Sequence, residues 1–264
     1  MSDVTLRPRT ILEILDASFS LLRRDYLKYL TIMAVVSLPY QIMMMFWQKA
    51  NFSIALSGGD TATASSSLGL DAFLVPLLGM LLWYPLIDAA IIAAASESYH
   101  GREINVAAVL GRLGGRLGSL LLTMLLRTIA LVIGSVLFII PGFYLYLRFF
   151  CVPAVVMLER TSISGAFTRS GILTKGLKGK TLGMLVLVYI IYSCLSWVSL
   201  LALIFTRDPM VLAVSQVIIT VLLYPMLPVA MGLLYYDMRI RKEGYDIELL
   251  SNEIGDQLAP EPAR

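Results

Sequence analysis

The chain is 264 residues long, 58% hydrophobic and only 15% charged, with a formal net charge of +3. Soluble domains carry roughly a quarter of their residues as charges, so this composition excludes an ordinary soluble domain and makes a bilayer the expected solvent. The two cysteines, Cys151 and Cys194, lie far apart inside apolar runs, which excludes a disulfide framework and leaves both as small packing residues.

The opening stretch, "LRPRTILEILDASFSLLRRDYLKYL", joins no continuous apolar segment to a cleavage site, so no secretory signal is expected. Ile11, Leu15, Phe19 and Leu22 recur at helical spacing, while Glu13, Asp16, Arg23 and Arg24 fall mostly elsewhere around the wheel. Thr10 followed by Glu13 has the pattern of a capping box, in which hydroxyl and carboxylate satisfy backbone donors reciprocally. Together these predict an amphipathic helix at a membrane interface.

About 20 apolar residues cross a hydrocarbon core of about 30 Å, and six stretches are candidates. They are roughly Leu27–Trp47, Leu70–Ser96, Leu117–Ile140, Phe143–Leu158, Leu182–Phe205 and Met210–Tyr235. The third and fourth are joined by Pro141-Gly142 and the fifth and sixth by "TRDP", connections short enough to force antiparallel neighbours. "KANFSIALSGGDTATASSSLG", between the first two, is small and polar and reads as a flexible loop. With the N-terminus inside, 17 of the 21 Lys and Arg fall on the cytoplasmic side, Lys28 included, against Lys49 and Arg207 outside. The positive-inside rule then places both termini in the cytoplasm of a bacterial inner-membrane, multi-pass protein.

Patterns related to the opening helix precede the third and fifth spans, in "INVAAVLGRLGGRLGSLLL" and "TSISGAFTRSGILTKGLKGKTLGML". The predicted fold is therefore all-α: one membrane domain over 1–250, with six transmembrane helices and three amphipathic helices on the cytoplasmic side. Either it is a threefold repeat of amphipathic helix plus hairpin, about 10–97, 104–159 and 162–237, or it has the basic amphipathic inner face that multi-span proteins acquire in general. "RIRKEGYD" is expected against anionic headgroups, and the tail 251–264 is expected to be disordered and cytoplasmic.

Three blocks, the opening stretch, "IIPGFYLYLRFFCVPAVVMLERTSISGAFTRSGILTKG" and "GLLYYDMRIRKEGYDIELL", together resemble bacterial proteins of the glycerophosphoryl diester phosphodiesterase membrane-domain family. The resemblance implies a multi-pass bacterial membrane protein. The family is named for proteins in which such a membrane region is fused to a catalytic domain. The six spans and tail here have no counterpart of that domain, so the resemblance carries over neither an activity nor catalytic residues.

Little else in the sequence points to catalysis. The single histidine, His100, stands near Glu97 and Glu103 in "SESYHGREIN", a weak metal or general-base signal against the alternative of a solvated turn. No nucleophile, phosphate-loop or metal motif is present, and no metal or cofactor is expected. In "GRLGGRLG", Gly111 with Gly115 and Gly114 with Gly118 have the spacing of close helix packing, which accounts for them better than phosphate cradling. Pro39, Pro76, Pro85, Pro153, Pro225 and Pro228 are expected as kinks rather than transport hinges. Trp83, Tyr84, Tyr235 and Tyr236 are expected in the core or at interfaces.

The candidate polar site inside the membrane is Arg127, Arg148 and Asp88. Counting about 1.5 Å per residue from the outer turns puts Arg148 at about 9 Å, Arg127 at about 21 Å and Asp88 at about 27 Å. Arg127 and Asp88 are thus expected to pair, while Arg148 lies nearer the centre without an acidic partner. In one reading the arginines fix helix register, with Arg148 donating to backbone carbonyls freed by proline. In the other they line a cavity for an anionic group such as a lipid phosphate. The leading expectation is a non-enzymatic protein acting by association with membrane lipids or other membrane proteins, with no nucleic-acid partner. The alternative is a carrier or flippase-like protein for an anionic lipid or small amphiphile.

Overall fold

The computed structural model describes residues 8–56, 70–159, 161–206, 218 and 222–245. Among them every regular element is helical: α1 Ile11–Arg24, α2 Tyr26–Leu56, α3 Leu70–Tyr99, α4 Val106–Gly114, α5 Leu117–Leu137, α6 Ile139–Arg148, α7 Val152–Leu158, α8 Ile163–Thr174, α9 Lys178–Thr206 and α10 Met226–Glu243.

Three of these, α1, α4 and α8, are short amphipathic helices, each started by a side-chain cap and each followed within a few residues by a long helix. Thr10 Oγ1 accepts the Glu13 N–H, and the Glu13 carboxylate accepts the Thr10 N–H at 2.7 Å, so the capping box read from the sequence is formed. Asn105 Oδ1 accepts the Ala108 N–H, and Ser162 Oγ accepts the Gly165 N–H. On α1 the buried residues are Ile14, Ser18 and Leu22, one helical face. Ser18 donates to the Ile14 carbonyl, so its hydroxyl is satisfied inside that face. The α8–α9 corner bends by 93°. Gly176 makes it possible, with φ at 80°, where other residues are strained.

The core is formed by the three helices that run back towards these amphipathic ones. In α3 the run Ala89–Ala95 is essentially solvent-free, as are Val152–Met157 of α7 and Val229–Met238 of α10. Small side chains let α3 serve as the hub, contacting α2, α10, α5, α7 and α4. The amphipathic helices then pack in rotation: α4 lies on α3, α8 on α7, and α1 on α10.

Three described helical stretches are long and apolar enough to cross a membrane: Tyr26–Met44, Leu117–Leu137 and Ile139–Leu158. A fourth is counted if the bent pair Ile163–Thr174 and Lys178–Cys194 is one broken span. Of the six predicted spans, the first, second, fifth and sixth run partly through residues, or side chains, outside the described set. The "TRDP" connection, most of the small polar loop and the 251–264 tail also lie outside it.

Two local expectations change. The hairpin between the third and fourth spans breaks at Phe138, which is extended, and not at Pro141-Gly142. Pro141 sits in the first turn of α6, where a missing N–H costs nothing because that donor has no helical partner. Gly142 is instead where the two arms touch: a Cβ there would lie 2.7 Å from the Ser135 Cα, and one on Gly134 would lie 3.2 Å from the Gly142 Cα. Among the prolines, Pro39 is inside α2, but Pro153, Pro225 and Pro228 stand at the starts of α7 and α10 and begin helices rather than kink them.

Candidate functional site

Asp88, on the buried stretch of α3, accepts a hydrogen bond from the Tyr224 hydroxyl at 2.8 Å. Around it Tyr84 packs on Tyr224 and Tyr40, and Tyr40 stacks on Trp83. Arg127 of α5 lies over the Tyr146 ring, 5.6 Å from its centroid, and its Nε is enclosed without a hydrogen-bond partner. Arg127 and Asp88 make no direct ion pair. Depths of about 21 and 27 Å put them within side-chain reach, but the Asp88 carboxylate meets Tyr224 and the Arg127 guanidinium meets the Tyr146 ring.

Arg148 departs further from its predicted position. Its side chain is exposed at the end of α6, 5.9 Å from the Phe149 ring centroid, with no acidic partner among the described residues. Its main-chain carbonyl accepts from Ser170 (2.8 Å) and Thr174 (3.2 Å) of α8, and a Cβ on Gly171 would come within 3.1 Å of its Nε. It abuts an amphipathic helix rather than the bundle centre. A depth counted along α6, unbroken from Ile139 to Arg148, does not fix which way a side chain faces, and here it lies against α8. The three residues therefore do not form one site.

The charges converge elsewhere, at the basic end of the bundle. Each returning helix carries a carboxylate near its end: Glu97 on α3, Glu159 after α7 and Asp237 on α10. Glu97 takes Arg112 of α4 and Arg102. Glu159 takes Arg169 of α8 at 2.7 Å, and Arg169 also holds Glu243. Asp237 takes Lys180, Arg241 and the Arg9 N–H just before α1. A second set of cations grips the same helix ends: Arg24 donates to the Ser98 carbonyl, and Arg116 to the Val156 and Met157 carbonyls at 2.8 and 2.6 Å. Cations at helix C-termini also complement the helix dipole.

These contacts set the local titration. Burial alone would raise the Glu97 carboxyl, but the hydrogen bond from Arg112 and the charges of Arg102 and Arg112 outweigh it and hold it below the ordinary glutamate value. Glu243 is lowered in the same way by Arg169 and Arg239, against its own burial. At Asp25, Arg24, Lys28 and Ser98 outweigh burial with the same result.

His100 is fully occupied by other partners. Nδ1 meets the Ser96 carbonyl at 2.7 Å and Nε2 the Tyr245 hydroxyl at 3.1 Å, within a stack of Tyr99, Tyr236 and Tyr245. Glu103 is exposed, and no group of three potential metal ligands gathers among the described residues. No known protein family, curated protein or solved structure matches this chain.

One cavity at the basic end is lined by Arg112, Gly115, Arg116, Ser119, Val156 and Thr161, with a volume of about 390 Å³. It adjoins the glycine-rich stretch, and here the packing expectation fails. A Cβ on Gly111, Gly114 or Gly118 would meet nothing within 4 Å, and on Gly115 only carbonyls of its own turn. The glycines leave open space rather than drawing helices together. Sequence reading counted Arg24, Arg116 and Lys180 only as inside charges. The signal that could have found the clamps is positional: a cation at or just before the start of each outgoing helix, and an acid at the end of each returning one.

Proposed function

We propose that the chain is a multi-pass protein of a bacterial cytoplasmic membrane, with both termini inside, acting without catalysis by association with lipids or other membrane proteins. The observation that carries this is the inversion of burial. Only 17% of the most apolar stretch of α5 is buried, and twelve large apolar side chains between Leu117 and Ile140 are 39–83% exposed. At about 1–2 kcal/mol each for partial exposure to water, they would cost on the order of 10–20 kcal/mol, as much as the whole stability of a folded domain, about 5–15 kcal/mol. Lipid removes that cost.

The six-span, threefold reading has support of the same kind. Thr10, Asn105 and Ser162 cap three amphipathic helices, and each such helix packs on the returning helix of the preceding unit, the first closing on the last. Arg112 and Arg169 hold the same position, seventh residue of α4 and of α8, and each binds the carboxylate on the helix it covers.

Alkaline carbonate extraction tests the integral-membrane reading, and single cysteines probed with a membrane-impermeant maleimide test sidedness. The protein is expected to stay in the pellet, with Phe138→Cys labelled in intact spheroplasts and Gly111→Cys labelled only after permeabilisation. Release by alkali, or reversed labelling, overturns the proposal. The carrier reading has one observation in its favour, the enclosed, unpartnered Arg127 Nε close to the Asp88 layer. Lipid scrambling by reconstituted wild type that is lost in Arg127→Gln would establish it; inactive wild type would end it.

A further inference from the structure

We propose that the corner where α6, α8 and the start of α9 meet binds the phosphate of an anionic lipid headgroup through Arg148, Lys175 and Lys178; this rests on the membrane reading above. The three helices and the connection between α8 and α9 carry five basic residues, Arg148, Arg169, Lys175, Lys178 and Lys180, and no Asp or Glu. Two of the five fasten helices together: Arg169 is taken by Glu159 and Glu243, and Lys180 by Asp237. The other three have no acidic partner among the described residues.

These three converge on Tyr144 of α6. The Lys178 ammonium stands 3.4 Å from the ring centroid, which takes one side of it. Arg148 and Lys175 are near enough to act on the hydroxyl of the same ring. Arg148 also lies one helical turn from Lys175, since a Cβ on Gly171, four residues before Lys175, would be 3.1 Å from its Nε. Its guanidinium makes no hydrogen bond within the described residues, so the fork is free. Lys242 of α10 approaches the corner from the other side, its Nζ 4.0 Å from where a Cβ on Gly176 would lie. Like charges gathered without a counter-charge repel. One phosphate removes that repulsion, because its oxygens accept from a guanidinium fork and from ammonium groups alike.

Location selects a lipid. At this corner an amphipathic helix bends by 93° into a long apolar one. The α9 face that starts at Lys178 continues through Val186 and Tyr189, which are 46% and 71% exposed. Packed on α9, α6 adds the exposed rings of Phe143 and Tyr144. A headgroup rests on the cations while its acyl chains follow that apolar face.

The test is native mass spectrometry of the full chain in detergent, titrated with phosphatidylglycerol, with diacylglycerol bearing the same tails, and with inorganic phosphate. Phosphatidylglycerol is expected to bind about tenfold or more tighter than diacylglycerol, since each basic residue near an anionic lipid contributes on the order of 1 kcal/mol. By the same reckoning Arg148→Gln or Lys175→Gln should weaken it about fivefold, and the double variant about 25-fold. Both side chains are exposed and hold no carboxylate, so helix content by circular dichroism should be kept. Arg23→Gln, which removes an exposed cation from α1, should leave the affinity unchanged. Equal binding of phosphatidylglycerol and diacylglycerol by the wild type overturns the proposal whatever the variants do. Unchanged affinity in the double variant overturns it too, as does an equal loss in Arg23→Gln. Inorganic phosphate bound as tightly as the lipid overturns the lipid as source. Absence of the site in a protein that still resists carbonate extraction refutes this inference alone, whereas extraction refutes the membrane reading beneath it.

Discussion

At the Phe138 tip of the α5–α6 hairpin, Leu137, Phe138, Ile139 and Ile140 are 63–83% exposed, and the arms are held by backbone meeting backbone at Gly134 and Gly142. At the opposite end Glu97, Glu159 and Asp237 are nearly or partly enclosed, and the helix ends are held by charge. Bringing helices together inside a bilayer gains nothing from hiding apolar surface, because lipid is equally apolar. The tip therefore depends on shape. On the membrane reading proposed above, the charged end lies near the headgroups, where charge-assisted hydrogen bonds are available and fix direction and register. One molecule thus uses two kinds of adhesion, each where its surroundings leave it effective.

The contrast can be broken most strongly at Asp237. Replacing it with Asn leaves Lys180, which is largely enclosed, without its counter-charge, and losing one member of a buried pair costs about 3–5 kcal/mol. The thermal midpoint in detergent should fall sharply, and lipid-facing substitutions such as Ile133→Leu should not reproduce the effect. Gly142→Ala comes next: overpacking of this kind costs about 1–3 kcal/mol. It should weaken resistance to SDS unfolding measured by circular dichroism, with helix content retained, whereas Gly118→Ala, which meets open space, should be neutral or slightly stabilising.

Acid separates the ends by another route. Glu97, Glu243 and Asp25 titrate below their ordinary values in the fold, so their stabilisation is complete above the usual carboxylate range near about pH 4 and fades as pH falls through the lowered values. Unfolding followed between pH 7 and 2 should show this loss, and it should diminish when Glu97 and Glu243 are both replaced by Gln. The smallest effect is expected for Arg148→Gln. An exposed arginine without an acidic partner contributes at most about 1 kcal/mol, and a stability change several times larger would show that it is buried in the membrane-embedded protein.

Helix type, the Thr10–Glu13 cap and the apolar stretches that cross the bundle were legible because each depends on neighbours a few residues apart. Helix breaks were less so: Pro141 marks the hairpin to within three residues, but the break depends on how Gly134 and Gly142 fit together across the turn. Asp88 and Arg127 could be singled out as charges within apolar stretches. Their partners could not, since Tyr224 lies 136 residues from Asp88 and rotation about a helix axis does not follow from hydropathy. The exposure of Arg148 was not legible, because position along α6 does not fix which way the side chain faces.

The contact between Arg9 and Asp237 spans 228 residues. During biosynthesis, at about 5–20 residues per second, Asp237 follows Arg9 by roughly 10–45 s. Throughout that interval the Ile14–Ser18–Leu22 face of α1 waits without α10, and for its last 57 residues, roughly 3–11 s, Lys180 has been made without its carboxylate. Closing this contact is therefore among the last steps of assembly. Until then the two ends of the chain are separate, and the apolar face of α1 is open to whatever chaperone or lipid stands nearby.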